Sequence, residues 1–583
     1  MKLKTSFFDF SVLKKDLIRF WPVWGLYLIG GLLITQGGMA GNQAKYIAGE
    51  LGSSYGVMGW INLVYAALIA IFLFGDLFKA KMCNALHALP VRREAWFVSH
   101  LVAGILMCLV PNLVLALLLM IGMGSLWYAP LLWLGMIMLQ FLFFFGAAVF
   151  SIFCTGNAFA AALVYGIINF VAALVMWAAE SLYMPLLYGV GLSTEKFARF
   201  MPVISMTTQY RIWKAEHLSS CPVNHRYYSN GDIKETSGCD YVLKHNGEIW
   251  GYLAILAAIG VVFLAVSLLL YRRRKLECAG DFAAEKPVKV VFATVGSFAA
   301  GMLFSVFGYG DDALAYILLF LGVFVGFFVC QMLLQRTVKV FGGKNWLRLG
   351  MMLGAVALSL VLTAVDAFGI TRIVPQAEQV ELAVISDTYL SDYEIDQIEN
   401  GEKMSAYVYG SNYIQVEGPG RIREITEIHQ LLIEEGDNRN TGKHTQVISI
   451  YYKLKNGTTL FRRYYGLVTG EAVQRMKSFT DTPAYVLGAQ TPEELVSQLQ
   501  YAFCYGTYEM EIPSSFWLPL AQALFRDAEA GNLSQNAGIS SDQYIEMECM
   551  WKDGSFYYKS VRVPYTATET LKWLKEYAKE GKG

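Results

Sequence analysis

The sequence predicts a polytopic α-helical membrane protein of about nine transmembrane helices, followed by a C-terminal extracellular α+β domain that reads as a duplicated helix–hairpin–helix unit. Three observations predict it. Hydrophobic residues make up 55% of the 583 residues and charged residues only 16%, with a mean hydropathy of +0.40; a soluble chain of this length carries nearer a quarter charged residues. The long apolar runs fill residues 1–370 and stop there. The formal net charge of zero hides a split, because residues 371–583 hold 20 Lys and Arg against 29 Asp and Glu, a net of −9. An acidic tail on a basic, apolar body indicates two parts in two environments, and its sign argues against nucleic acid as a partner.

The first twenty residues, MKLKTSFFDFSVLKKDLIRF, lack the compact apolar region and small-residue cleavage site of a signal peptide. Residues 1–20 read as an amphipathic helix lying in the headgroup layer, the alternative being a disordered basic leader. Runs long enough to cross the hydrocarbon core lie at 21–40, 58–78, 101–123, 131–154, 158–184, 250–271, 289–307, 313–334 and 347–368. The weakest is 289–307, which is short and interrupted by Gly and Ser. All must be helical, because lipid offers backbone groups no partner. Basic residues set the orientation. Lys79, Lys81, Arg92, Arg93, Arg272–Lys275, Lys286, Lys289, Arg336, Lys339, Lys344 and Arg348 fall on one side, whereas the short loops opposite carry only Lys45. That puts the N-terminus in the cytoplasm and, after nine spans, residues 371–583 outside.

In the outer part, TQVISIYYKLKNGTTLFRRYYGLV alternates around Asn456-Gly457, a two-residue hairpin signal, and Thr469 then opens a helix. QYIEMECMWKDGSFYYKSVRVPY alternates around Asp553-Gly554, and Thr566 opens another helix with Glu569 completing a capping box. Both the turns and the helix starts are 97 residues apart, and each hairpin follows an amphipathic helical stretch. Side-chain identity between the halves is low, so chance correspondence is the competing account. Four cysteines fall on this side: Cys221, Cys239, Cys504 and Cys549. They form two bridges, Cys221–Cys239 closing a local loop being the favoured one, or remain four free thiols.

Motifs for catalysis are missing. There is no P-loop, no H-E-x-x-H, no paired C-x-x-C and no G-x-S-x-G. The seven histidines are scattered, and His87 and His100 read as incidental surface residues. The chain therefore reads as neither an enzyme nor a metal or cofactor binder. Within the spans, Gln140, Asn169 and Glu180 are polar, which marks either a functional site or interhelical hydrogen bonding. Gly322 and Gly326, with Gly350 and Gly354, put glycines four apart in two consecutive spans and predict close packing of those two helices.

One polar interruption is more informative. In MCNALHALPVRREAW (82–96), Met82, Ala85, Leu86 and Leu89 share one helix face, Pro90 ends the helix, and Arg92 and Arg93 follow. The stripe rests on lipid or fills a groove on a soluble partner. The pattern HALPVRREAWFVSHLVAG resembles the segment after the second span of ABC-2 type permeases. The leader helix, the six spans to residue 271 and YRRRKLECAGD straight after them are similar to the same family. The resemblance covers about 1–285 and implies a six-span core (21–280) whose 82–96 coupling helix docks on a separate ABC ATPase subunit. ATP and Mg would be bound on that partner. It further implies a second permease subunit, identical or related, and export across the cell membrane. The three additional spans within 281–370 and the domain at 371–583 resemble a Gram-positive bacterial subfamily whose C-terminal domain has no assigned function. The extracellular segment 185–249 is longer than such a core needs. The alternative is a membrane receptor that binds a ligand with its outer domain and transports nothing.

Overall fold

The computed structural model describes residues 7–36, 44–79, 81–82, 92–122, 127–191, 213–217, 241–245, 247–273, 282, 286–308, 310–387, 389–390, 395, 398, 413–435, 447–465, 470–480, 482, 486–487, 489–506, 510–533, 544–550 and 556–580. The chain divides into two compact units, Met1–Ala178 with Glu195–Ala357, and Ala179–Thr194 with Leu358–Gly583.

The first unit is helical. Helix α1 (Phe10–Arg19) starts at Asp9, whose carboxylate accepts from the Ser11 N–H at 2.8 Å, satisfying one of the donors a helix start leaves open. Its Leu13 and Asp16 are buried while Lys14 and Lys15 face out. The axis then bends by 58° into α2 (Trp21–Gln36). There follow α3 (Ala44–Phe74), α4 (Arg93–Gly122), α5 (Ala129–Cys154), α6 (Ala158–Ala178), α7 (Gly247–Arg273), α8 (Lys286–Ser305), α9 (Asp312–Gln335) and α10 (Gly343–Ala364). Eight described stretches are long and apolar enough to cross a membrane, and the bent α1–α2 pair makes up to nine. The chain is a polytopic helical membrane protein.

Helix α5 is the centre of this unit, with Trp133, Phe141, Phe144 and Phe145 fully buried. Glycine lets α7 come against it backbone to backbone. A Cβ on Gly146 would lie 2.3 Å from the Gly260 carbonyl oxygen, and one on Gly260 would lie 2.5 Å from that of Leu142. The expected pairing of Gly322 and Gly326 with Gly350 and Gly354 is corrected. Gly322 and Gly326 seat on α8, where Cβ atoms would fall 2.8 Å from the Ala300 oxygen and 2.5 Å from the Ala300 Cβ, whereas Gly350 and Gly354 have open space around them. The 289–307 run, weakest by composition, is thus closely packed, since its small residues are what admit α9.

Strands β1 (Trp213–His217) and β2 (Tyr241–His245) pair antiparallel and bring together the ends of the segment that carries Cys221 and Cys239, which themselves lie outside the described residues. The C-terminal domain runs β3 (Val380–Ser386), β4 (Ile414–Val416), α11 (Pro419–Glu435), β5 (Val447–Leu454), β6 (Thr459–Tyr465) and α12 (Glu471–Thr480). After α13 (Pro492–Gln498), the order repeats as β7 (Leu499–Tyr505), β8 (Met510–Glu511), α14 (Trp517–Glu529), β9 (Tyr544–Met550), β10 (Phe556–Arg562) and α15 (Thr568–Glu580). The sheets are ordered β4-β3-β5-β6 and β8-β7-β9-β10. The hairpin registers coincide at the 97-residue offset, Lys453 pairing with Thr459 and Met550 with Phe556. Each first strand carries an irregularity, between Val380 and Leu382 and between Leu499 and Tyr501. The repeat is therefore real in topology, and each copy begins two strands earlier than the sequence reading placed it.

Two local expectations change. The Leu454 carbonyl accepts from the Gly457 N–H at 2.9 Å, Gly457 has φ +81°, and Asn456 keeps a negative φ. The loop is a three-residue Lys455–Gly457 turn with a left-handed glycine, not a two-residue one; the Asp553-Gly554 turn lies outside the described residues. Thr566 does not cap α15. Its hydroxyl donates to the Asn532 carbonyl, and the Asp527 carboxylate at the end of α14 instead accepts from the Glu569 N–H (3.3 Å), the Thr570 N–H (2.7 Å) and the Thr570 hydroxyl (2.7 Å). Glu435 at the end of α11 likewise accepts from the Ala472 N–H at 2.9 Å to cap α12; Thr469 lies outside the described residues. Both copies use one device, a carboxylate from the preceding helix.

Candidate functional site

The strongest polar constellation lies inside the helical bundle and joins four helices. The Tyr27 hydroxyl (α2) donates to Asn62 Oδ1 (α3) at 2.6 Å and accepts from Asn112 Nδ2 (α4) at 3.0 Å. Asn62 Nδ2 donates to Gln140 Oε1 (α5) at 3.1 Å. The Tyr27 and Tyr65 rings stack with centroids 4.0 Å apart. Tyr27, Asn62, Asn112 and Gln140 are all buried. Pro111 explains part of the arrangement. It lacks the N–H that would close a helical bond onto the Met107 carbonyl, and the Tyr65 hydroxyl donates to that carbonyl instead, at 2.8 Å. This seam is neutral; Asn112 Nδ2 also donates to the Cys108 carbonyl of its own helix at 2.9 Å, while the bonds among Tyr27, Asn62, Asn112 and Gln140 run helix to helix, so it can hold the four helices in register and can re-pair without moving a charge.

Of the expected intramembrane polar residues, only Gln140 joins it. Asn169 is buried but donates to the Tyr165 carbonyl of its own helix at 2.8 Å, and its Oδ1 has no partner. Glu180 is exposed, in a π-helical turn (Ala179–Tyr183) that continues α6. Asn62, Asn112, Tyr27 and Tyr65 were not singled out from the sequence. The Pro111-Asn112 pair in an otherwise apolar run was the available signal.

A second constellation lies where α4 begins. His100 Nδ1 is 2.5 Å from Asp16 Oδ2, with side chains only 7% and 8% exposed. His100 is thus a buried residue of a helix–helix contact, not the surface residue expected. The Trp96 ring meets it edge to face at 4.2 Å, and the Asp9 N–H donates to the Ser99 hydroxyl at 2.9 Å. These contacts fasten α1 to the first turns of α4. Arg92 sits over the Phe7 ring at 5.9 Å and Arg93 over the Tyr271 ring at 6.0 Å. Met82 is exposed; Ala85, Leu86 and Leu89 lie outside the described residues.

The second unit contains its own buried polar set. His429 Nδ1 is 3.2 Å from the Tyr452 hydroxyl. Burial, with help from the Arg462 guanidinium, pushes the His429 imidazole down to about 3, so it is neutral. Cys504 is a buried free thiol that burial pushes up to about 11, which corrects its place in a bridge. Register explains why. Cys504 pairs with Ile545 and Cys549 with Leu499, at opposite ends of β7 and β9, far beyond the ~7 Å between Cα atoms that a disulfide can span.

No family model, curated protein or solved structure matches this chain. Function rests on its own residues. Among the described residues no group of His, Cys, Asp and Glu could hold a metal ion.

Proposed function

We propose that the chain is the transmembrane permease subunit of an ATP-driven transporter, exporting its substrate, with ATP hydrolysed on a separate ABC ATPase subunit that docks at residues 82–96. A second permease subunit, identical or related, completes the assembly. With the N-terminus inside, the C-terminal domain lies outside the cell. The reading grows from the ABC-2 resemblance of residues 1–285. The observation that supports it best is the buried Asp16–His100 contact, which joins the leader helix to α4 directly after the 82–92 connection. A push on the stripe of Met82, Ala85, Leu86 and Leu89 would load α4 and α1 together. Asn112 lies nineteen positions beyond Arg93 along helix α4, about 28 Å of helical rise. Displacement there reaches the polar seam, whose neutral bonds permit a second pairing. A seam with two pairings, biased by the nucleotide state of a partner, is the physical content of coupling.

The test is co-purification in mild detergent. An ATPase subunit should remain bound to the full chain. Leu86→Ala with Leu89→Ala should weaken that contact by on the order of a hundredfold, from about 1.5–3 kcal/mol per buried side chain. Membrane insertion should be unaffected. A chain that carries no ATPase is the receptor instead. A double variant that binds its ATPase unchanged removes 82–96 as the docking helix.

A further inference from the structure

Two stretches of the second unit that adjoin membrane helices meet on one strand of its first sheet. After the π-helical turn that continues α6, residues 187–191 run antiparallel to β6. The Gly191 N–H donates to the Phe461 carbonyl at 3.2 Å and the Arg463 N–H to the Gly189 carbonyl at 3.1 Å, with Val190 opposite Arg462. Glycine is required here, since Cβ atoms on Gly189 and Gly191 would lie 2.1 Å from the Tyr464 ring and 2.4 Å from the Phe461 ring. The turn that follows α10 arrives at the same residue. Arg462 Nη2 donates to the Ile370 carbonyl at 2.8 Å and the Ile373 carbonyl at 3.1 Å, and Arg462 is 1% exposed. The Asp366 carboxylate shapes that turn by accepting from the Ile370 N–H, the Thr371 N–H and the Thr371 hydroxyl. The Tyr183 hydroxyl and Ser359 Oγ, 2.8 Å apart, link the same two stretches directly.

We propose that Arg462 is a clasp that closes a strap between the end of α6 and the end of α10, so that the 187–191 stem and the 370–373 turn are held, and released, together. The backbone of Arg462 faces the stem and its side chain holds the turn. A π-helical turn followed by a 3₁₀ turn, Met184–Leu186, is the kind of helix break at which hinges form, and it lies immediately before the stem. The first sheet then holds the segment that follows this break through one buried guanidinium. The inference stands on this geometry and does not depend on transport.

Amide hydrogen exchange on the full chain in detergent tests it. Arg462→Met should raise exchange in 187–191 and 370–373 together, by roughly tenfold or more, while β3, β5 and the second repeat stay protected. Arg463→Met, whose side chain instead bonds the Leu390 carbonyl, should leave both segments unchanged. Release of only one segment, release of neither, or equal release by Arg463→Met overturns the clasp. If Arg462→Met opens the whole first sheet, Arg462→Lys decides by the same criterion. It keeps the charge but replaces the planar Nη2, fixed between both carbonyls by the rigid guanidinium, with a single rotatable ammonium on a more flexible stem.

Discussion

Asn62 and Asn169 are both buried amides of the helical bundle, and their substitutions should behave oppositely. Asn62→Leu removes the 2.6 Å acceptor of Tyr27 and the donor to Gln140, and should cost about 1–2 kcal/mol of stability. Asn169→Leu removes an intrahelical bond together with a buried oxygen that has no partner, and should be neutral or stabilising. Melting midpoints of the two variants in one detergent decide this. His429 gives a pH-dependent counterpart in the C-terminal domain. Its imidazole titrates at about 3 in the fold and near 6.5 when unfolded. Only the unfolded chain takes up the proton between those values, so the stabilisation is complete above about pH 6.5 and declines as pH falls towards 3. At pH 5 the loss should be about 2 kcal/mol, and His429→Gln should remove that part of the pH dependence of the domain's melting midpoint. Residue roles were the least legible level of the sequence. Gln140 could be found because it is polar in an apolar run. Its partner was hidden because Asn62 sits near a span end, where a polar residue needs no explanation, and hydrogen bonding between spans leaves no spacing to read.

Among the elements, glycine spacing was visible and its partners were not. Four-residue spacing identifies a helix face that admits another backbone, and says nothing of which helix arrives. The structure makes the distinction testable with one methyl group. Gly146→Ala would force a Cβ to within 2.3 Å of a backbone oxygen, so it should separate α5 from α7 and lower both yield and melting midpoint. Gly354→Ala meets open space and should be neutral or stabilising by up to about 1 kcal/mol through helix propensity. The hairpins of the C-terminal domain were legible from alternation around Asn-Gly and Asp-Gly. The strands β4 and β8 were not, because they are only three and two residues long. Helix starts misled for a related reason. Thr566 and Glu569 carry the local capping signature, but Asp527, 39 positions earlier than Thr566, supplies the acceptor. Tertiary carboxylates outcompete local ones when a neighbouring helix end points at the open N–H groups.

At the scale of the whole molecule, the division into an apolar helical body and a polar tail was legible from charge and hydropathy alone. Crossing number provides an internal check. Four spans, α7 to α10, separate the stem at 187–191 from the turn at 370–373. An even number returns the chain to the side it left, and the β6 contacts of both segments require that. Protease added to intact cells should release fragments of residues 371–583, while an N-terminal tag should stay protected until the membrane is opened. A protected C-terminal tag would mean that the count from an inside start is wrong by an odd number. The same contacts set a timetable for synthesis. The stem leaves the ribosome about 270 residues before the strand it pairs with, a wait of roughly 15–50 s at ordinary elongation rates. For that interval the end of α6 has no template, and four further spans must be inserted before one is made. A newly made chain halted anywhere before residue 461 therefore presents an unpaired glycine-flanked strand, a ready handle for proteases that remove unfinished membrane proteins.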